Sequence, residues 1–349
     1  VSKRAAMRAA ELYQHRSFRL VDMPVQEPGP GELQVRVESC GICGSDLHYF
    51  IEGAIGDTPC VYPMVMGHEP AGVVVKTGTG VTGWSPGDRV ALEPALYCYH
   101  CEYCLTGHHN VCSNLRFLSS PGDPGYFREF VNLPATNVLP LPANLSFQEG
   151  TLFEPLAVVL HSMKFVQLQP GEKVAVFGAG PIGLLTVFTL KLSGASRIWV
   201  VEPVLERRNL ACAMCADAVI DPGAADAAQE IVKDTGGRGV DVAIDCATRG
   251  PSLNQAIQVA RNAGRLVITG IPWELRPALD FSTMRRKELV LYNVRRSNHE
   301  SETALELLKE HRRRLSAILT HDMPLEQVQQ AFEKLEHYAD GVGKVTIKI

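Results

Sequence analysis

The stretch GICGSDLHYF, residues 41–50, gathers Cys43, Ser45, Asp46, His48 and Tyr49 within a few residues of one another. Cys43 has no second cysteine beside it. A thiol so placed is a nucleophile, half of a disulfide, a packed core group, or one ligand of a metal whose other ligands lie elsewhere. Two later stretches offer such ligands. MVMGHEPAG presents His68 and Glu69 side by side in a glycine-flanked turn, and FEPLAV presents Glu154 just ahead of a proline. One thiolate, one imidazole and one or two carboxylates form a mixed set. A zinc ion held by three such groups keeps a position open for water or substrate. Taken singly, a buried Cys or His usually packs and a lone Glu is usually solvated; their combination is what points to a metal.

A second cysteine cluster has a different character. CYHCEYCLTGHHNVC places Cys98, Cys101, Cys104 and Cys112 in the spacing CxxCxxCx7C. Four thiolates around one ion make a closed tetrahedral zinc site, which stabilises a loop and leaves no position for substrate. An iron–sulfur cluster also takes four cysteines, but no cluster-type proline follows Cys112. His100, His108 and His109 read as surface-loop residues. Cys212 and Cys215 form a further CxxC; with no second pair nearby, they read as thiols on a helix face.

The third chemical signal is VAVFGAGPIG, with Gly178, Gly180 and Gly183 in the pattern GxGxxG. It follows an apolar strand and opens a helix, and Glu202 ends the next strand 19 residues after Gly183. That context is the dinucleotide turn. Gly178 allows the tight turn, Gly180 lets backbone approach a pyrophosphate at the helix N-terminus, and Gly183 lets helix and strand pack closely. Pro181 and Ile182 fall in the same cofactor-binding turn. Glu202 suits the ribose hydroxyls and repels a 2′-phosphate, which favours NAD over NADP. Arg207 and Arg208 count the other way, since a nearby Arg can hold that phosphate; a solvated helix start is the alternative for them.

The elements that must position these groups fall into two patterns. Residues 31–95 read as β: GELQVRVESCG alternates, and AGVVVKTG and GDRVALEP are short apolar runs between Gly and Pro. From Lys173 strand and helix alternate. Helices are expected around 204–216, 224–235 and 251–262, with strands at AVID, VDVAIDC and RLVITGI, which implies βαβ units and a parallel sheet. Amphipathic helices near 301–311 and 324–337 and a strand KVTIKI follow, and return to the first domain. ELVLYNV is a candidate sheet edge. With 349 residues, 46% apolar and 21% charged, two soluble domains are expected. A net charge of −4 argues against a nucleic-acid partner. No apolar run is long enough to span a bilayer, and VSKRAAMRAAEL has no secretory hydrophobic region. The cytoplasm is the expected compartment, where ten cysteines suggest metal rather than disulfides.

GICGSDLHYF, GHEPAG, the four-cysteine lobe, FEPLAVVLH and VFGAGPIG occur in the order and at the separations of the zinc-containing medium-chain alcohol and polyol dehydrogenases. The chain resembles that family over its whole length, and its sorbitol (L-iditol) and polyol branch most. The fold implied is α/β: a GroES-like β-rich catalytic domain over 1–156 and 295–349, with the zinc lobe at about 96–113, plus a Rossmann doubly wound parallel-sheet domain over 157–294. The resemblance implies two zinc ions per chain and NAD. Cys43, His68 and Glu69 would hold the catalytic zinc, and Glu154 would contact its water or replace Glu69. Ser45 would begin a proton relay ending at His48, and Tyr49 and Arg295 would bind substrate hydroxyls. Where the family often reads Phe-Arg-Tyr, this chain has Val294, Arg295 and Arg296, so its pocket wall differs. Relatives are dimers or tetramers, and a homo-oligomer is expected.

The chemistry these residues permit is oxidation of a secondary alcohol to a ketone with hydride transfer to NAD⁺. A zinc ion can bring a bound water from pKa about 15.7 to near 7, and acts on an alcohol in the same sense. Hydride transfer itself belongs to the cofactor. The substrate is a small polyol or another secondary alcohol, and neither a nucleic acid nor a membrane is expected as partner. Butanediol or threonine are competing substrates; threonine would need a cation, which Arg295 or Arg296 supplies. A non-catalytic cofactor-binding scaffold is the competing reading of a different class.

Overall fold

The computed structural model describes residues 6–349; residues 1–5, which open the segment read for a leader, lie outside the described residues. No helix is long and apolar enough to cross a membrane among the described residues.

The first sheet is built around the strand Glu32–Gly41, which changes partners along its length. It pairs antiparallel with Glu69–Thr77 throughout, with Phe130–Pro134 over its first half and with Lys344–Lys348 over its last three residues. Register shifts at Gln34/Val35 and Val37/Ser39 bend it, as bulges do, so that its two halves face different neighbours. Arg89–Leu92 and Val138–Pro140 extend the sheet on one side and Leu319–Pro324 on the other. The alternating Leu33, Val35 and Val37 are buried against Phe50, Phe127 and Phe332. The returning C-terminal strand is therefore an integral member of this sheet.

The second sheet has six parallel strands in the spatial order Ala218–Ile220, Arg197–Val201, Lys173–Phe177, Val240–Asp245, Ala260–Ile268, Val290–Asn293. The order reverses beside Lys173–Phe177, the strand that enters the glycine turn, and ligands bind at such a switch point outside the carboxyl ends of the strands. Val290–Asn293 pairs on one side only, with half-exposed Val290. Helix Phe153–Val166 bridges the sheets: Leu152, Phe153 and Leu156 share one core with Val174, Val176 and Leu184 of the second sheet and with Ala71 and Ala91 of the first.

Three expectations change. Residues 31–95 are not all β, because Gly44–Glu52 is a helix. Asp46 starts it by accepting the Cys43 backbone N–H through Oδ2 at 3.0 Å, and Gly53 ends it in the left-handed conformation. The helix expected to about 262 stops at Val259, since Ala260 is already extended and pairs with Val240. Helix Leu205–Ala213 ends before Cys215, which takes a positive φ, so Cys212 and Cys215 do not share a helix face.

Candidate active site

Cys43 precedes the Gly44–Glu52 helix, and the strand entered at Glu69 runs alongside Gly41. These two junctions bring the Cys43 thiol, a His68 ring nitrogen and a Glu69 carboxylate oxygen within 4.8 Å of one another. Asp46 fixes the imidazole: its Oδ1 lies 3.4 Å from His68 Nδ1 and accepts from Ser119 Oγ at 3.1 Å. A carboxylate on one ring nitrogen leaves the other for a metal. That other nitrogen, Nε2, is 3.4 Å from Ser45 Oγ. Glu69 is wholly buried. Its Oε1 accepts from Lys344 Nζ at 2.6 Å, while Oε2 lies against the same ammonium but at an angle that leaves it without a hydrogen bond. Gly41 makes the cradle for this carboxylate, because a Cβ there would stand 2.0 Å from Oε2.

The electrostatics of this corner favour a cation. Burial opposes a charge on His68, yet Asp46 and Cys43 more than offset it and raise its pKa well above the ordinary value. Burial likewise opposes the Lys344 charge, and Glu69 and Cys43 outweigh it and raise its pKa. Two cationic groups held charged in a dry site report a negative local field. A soft thiolate, an imidazole with its far nitrogen on a carboxylate, and an unpartnered carboxylate oxygen fit zinc. Glu154 is buried near the trio but is not among the atoms within 4.8 Å. Burial first, and Glu69 next, push its pKa up to about 7 against the opposing charges of His68, Lys344 and Arg296.

His48 lies one turn after Ser45 on the same helix, and its ring packs on Trp273 at 4.1 Å between centroids. Trp273 belongs to the loop after Ala260–Ile268, so this contact joins the helix of the first domain to the carboxyl end of the second sheet. Burial, helped by Arg249, pulls the His48 pKa down to about 4, so the ring is neutral at ordinary pH. Tyr49 is buried, and its hydroxyl is pushed up to about 12 by that burial. Arg295, set out as a substrate residue, does not join these buried groups. Arg295 is exposed, with its carbonyl held by Asn110 Nδ2 at 2.9 Å. Arg296, with φ 54°, turns the next side chain inward instead, onto the Phe117 ring at 3.9 Å.

The dinucleotide turn has the expected build. Gly178 donates to Val201 O at 2.8 Å, Gly180 caps the helix Pro181–Leu192, and Pro181 fills its first position. Ile182 is half-buried behind them. Glu202 is buried; its Oε2 accepts from Ala179 N at 2.7 Å and its Oε1 from Val204 N at 3.0 Å. Arg207 is not a solvated helix-start residue. It is buried, donates to Val342 O at 3.1 Å and stacks on Tyr338, so it is spent on anchoring the C-terminal segment. Arg208 caps the Glu202 and Pro203 carbonyls and pairs with Asp221 at 3.1 Å. A Cβ on Gly183 would sit 2.0 Å from Gly178 O, which is backbone and cannot yield. Gly183→Ala is therefore expected to weaken NADH binding at least about tenfold by fluorescence titration, since turn and helix must separate; unchanged affinity would contradict this packing.

In the lobe, the Cys98–Cys104, Cys101–Cys112 and Cys98–Cys112 sulfur separations are 4.0, 3.8 and 3.5 Å. Zn–S bonds of about 2.3 Å in a tetrahedron require sulfurs about 3.8 Å apart. His100, His108 and His109 are not in this set. His109 instead meets His299 at 2.9 Å, and Asn298 bonds the lobe backbone at His109 N and Gly107 O. Sequence reasoning missed Asp46, Phe117, Trp273 and Lys344 as site residues. Asp46 alone left a local signal, being three residues after Cys43.

Comparisons with known proteins agree with this geometry. Residues 29–143 match the alcohol dehydrogenase GroES-like domain, and residues 181–310 match the zinc-binding dehydrogenase family. The chain is 33% identical to sorbitol dehydrogenase of Bacillus subtilis over 98% of its length and 97% of that protein's. It is 34% identical to sorbitol dehydrogenase of Gallus gallus over 95% and 93%. A solved structure from Sinorhizobium meliloti 1021, bound to NADP, superposes with a TM-score of 0.90 at 29% identity, covering 99% of this chain and 100% of that one. With a GroES-like sheet joined to a doubly wound parallel sheet, and matches that span both, this chain belongs to the zinc-dependent medium-chain dehydrogenases, in their polyol dehydrogenase branch.

Proposed function

We propose that the protein oxidises a secondary hydroxyl of a polyol or polyol derivative to a ketone, using NAD⁺ and two zinc ions per chain. The observation that carries this is the convergence of Cys43, His68 and Glu69 where the Gly44–Glu52 helix meets the carboxyl end of the parallel sheet. Cys98, Cys101, Cys104 and Cys112 would hold the second, structural ion. When bound, the catalytic zinc and the nicotinamide supply Lewis-acid and hydride-acceptor chemistry.

The chain's own residues do the rest. Cys43, His68 and Glu69 are assigned as ligands, with Lys344 holding Glu69 in place. Buried Glu154 sits near enough to bear on the same site and, with its pKa near 7, can hold or release a proton at working pH. Ser45 starts the path of the substrate proton towards His48, whose pKa of about 4 suits the ring to passing a proton on to solvent and not to holding it. Tyr49 closes the pocket. The support for NAD is Glu202 at the ribose position together with the engagement of Arg207 and Arg208 elsewhere, which leaves neither free for a 2′-phosphate. The catalytic part is assigned to 1–156 and 295–349 and the Rossmann part to 157–294. The one-sided strand Val290–Asn293 supports a dimer or tetramer.

The test is one initial-rate screen of the zinc-loaded protein with NAD⁺ and NADP⁺ against neutral and acidic polyols, butanediol and threonine. Polyol-type substrates are expected to lead, with NAD⁺ favoured at least about a hundredfold. A preference for butanediol, threonine or NADP⁺ would overturn the corresponding assignment.

A further inference from the structure

Arg296 stacks on an aromatic ring of the pocket wall and leaves its hydrogen-bond donors unspent. Its guanidinium offers five donors in a rigid fork. Among the described residues no carboxylate, carbonyl or hydroxyl accepts a hydrogen bond from it. Lys344, by contrast, is paired with Glu69, and Arg249 donates to Tyr338 Oη at 3.2 Å. Arg296 is half-buried, and that burial, with Arg295 beside it, brings its pKa down to about 10 despite the countering charge of Glu154. A partly desolvated charge with free donors gains from a ligand that completes its hydrogen bonds.

Its placement is built. The backbone at Arg296 is left-handed, with φ 54°, which a residue with a side chain adopts only where its surroundings impose it. The lobe imposes it here: Asn110 holds Arg295 O, and Asn298 ties the same segment to Gly107 O and His109 N. The guanidinium rests 3.9 Å from the Phe117 centroid, and that ring packs on His68 at 5.3 Å. The cation therefore stands one aromatic ring from an assigned metal ligand. It shares the pocket with Tyr49, Tyr97 and Glu154, all of which bear on its charge. The guanidinium is thus within a short chain's length of the His68 ring.

We propose that Arg296 anchors an oxyanion on the substrate, so that the alcohol oxidised carries a carboxylate or a phosphate at a position removed from the reacting hydroxyl. This rests on the dehydrogenase reading above and narrows it from neutral polyols to their anionic derivatives. A fork of donors matches either oxyanion in bidentate fashion. A pocket that holds such a charge discriminates against the neutral analogue, which offers the guanidinium fork no oxyanion.

The experiment compares sorbitol and xylitol with gluconate, xylonate and sorbitol 6-phosphate, using the zinc-loaded protein and its Arg296→Leu and Arg296→Lys variants. In the unaltered protein an anionic member is expected to exceed its neutral counterpart at least about tenfold in kcat/KM. The carboxylate and phosphate arms identify which oxyanion is meant. Arg296→Leu should erase that ratio, chiefly through KM, and Arg296→Lys should restore part of it, which a purely structural role would not do. Preference for neutral polyols, or a ratio untouched in Arg296→Leu, overturns the proposal. Calorimetric titration of the enzyme–NADH complex with the same anions separates the two readings. Arg296-dependent binding without turnover sinks only the dehydrogenase reading, and equal affinity in Arg296→Leu sinks only the oxyanion anchor.

Discussion

Cys43→Ala is expected to leave a folded protein that binds NADH and has lost at least about a thousandfold in kcat/KM, or about 4 kcal/mol of transition-state stabilisation. The reason is the economy of the site. Three donors converge there, and one of them, Glu69, already has an ammonium competing for its charge. Without the thiolate, the carboxylate falls wholly to Lys344, and a single imidazole does not retain the ion. Metal analysis should show the count per chain falling from about two to about one. The glycine turn is built from a different sheet and keeps its own hydrogen bonds, so cofactor affinity should survive. Activity within tenfold of the unaltered protein, or an unchanged zinc content, would refute the ligand assignment.

Cys101→Ser should act on stability and, unusually for a structural site, on substrate affinity as well. Four sulfurs at tetrahedral separations hold a loop that has few apolar side chains beneath it, and metal binding supplies folding energy in such loops. Loss of the ion is expected to lower Tm by about 5–10 °C. The lobe also holds the segment from Arg295 to Glu300 through Asn110, His109 and Asn298. Loosening the lobe removes the contacts of Asn110 and His109 to this turn and leaves only those of Glu300 to His161 and Lys164 at its far end, so the Arg296 side chain is held less firmly. KM should therefore rise several-fold while NADH affinity holds. An unaltered Tm with one zinc lost would show that the lobe contributes nothing to folding; an unaltered KM would show that it does not position the wall.

Local chemistry was readable from sequence, and long-range chemistry was not. The glycine turn and the four cysteines each lie within about fifteen residues, so spacing alone carries them. Cys43, His68 and Glu69 are farther apart, and their association rested on resemblance until the strand Glu69–Thr77 was seen to register against Gly41. The helix Gly44–Glu52 was hidden in a β-rich, glycine-punctuated region, because its start depends on one Asp side chain reaching back to a backbone N–H. The exchange of Arg295 for Arg296 turned on the sign of one φ angle, which no residue type at that position announces. Lys344 was the least visible. In KVTIKI it reads as an ordinary outward lysine of an alternating strand, and only the sheet order shows that it is buried beside Glu69.

That lysine has a consequence for how the protein is made. Glu69 and its counter-ion are 275 residues apart, and the whole nucleotide-binding half is synthesised between them. Until the last strand is made, no ammonium is there to moderate the charge of the thiol, imidazole and carboxylate. Only the arrival of the last strand supplies that ammonium and completes the buried corner.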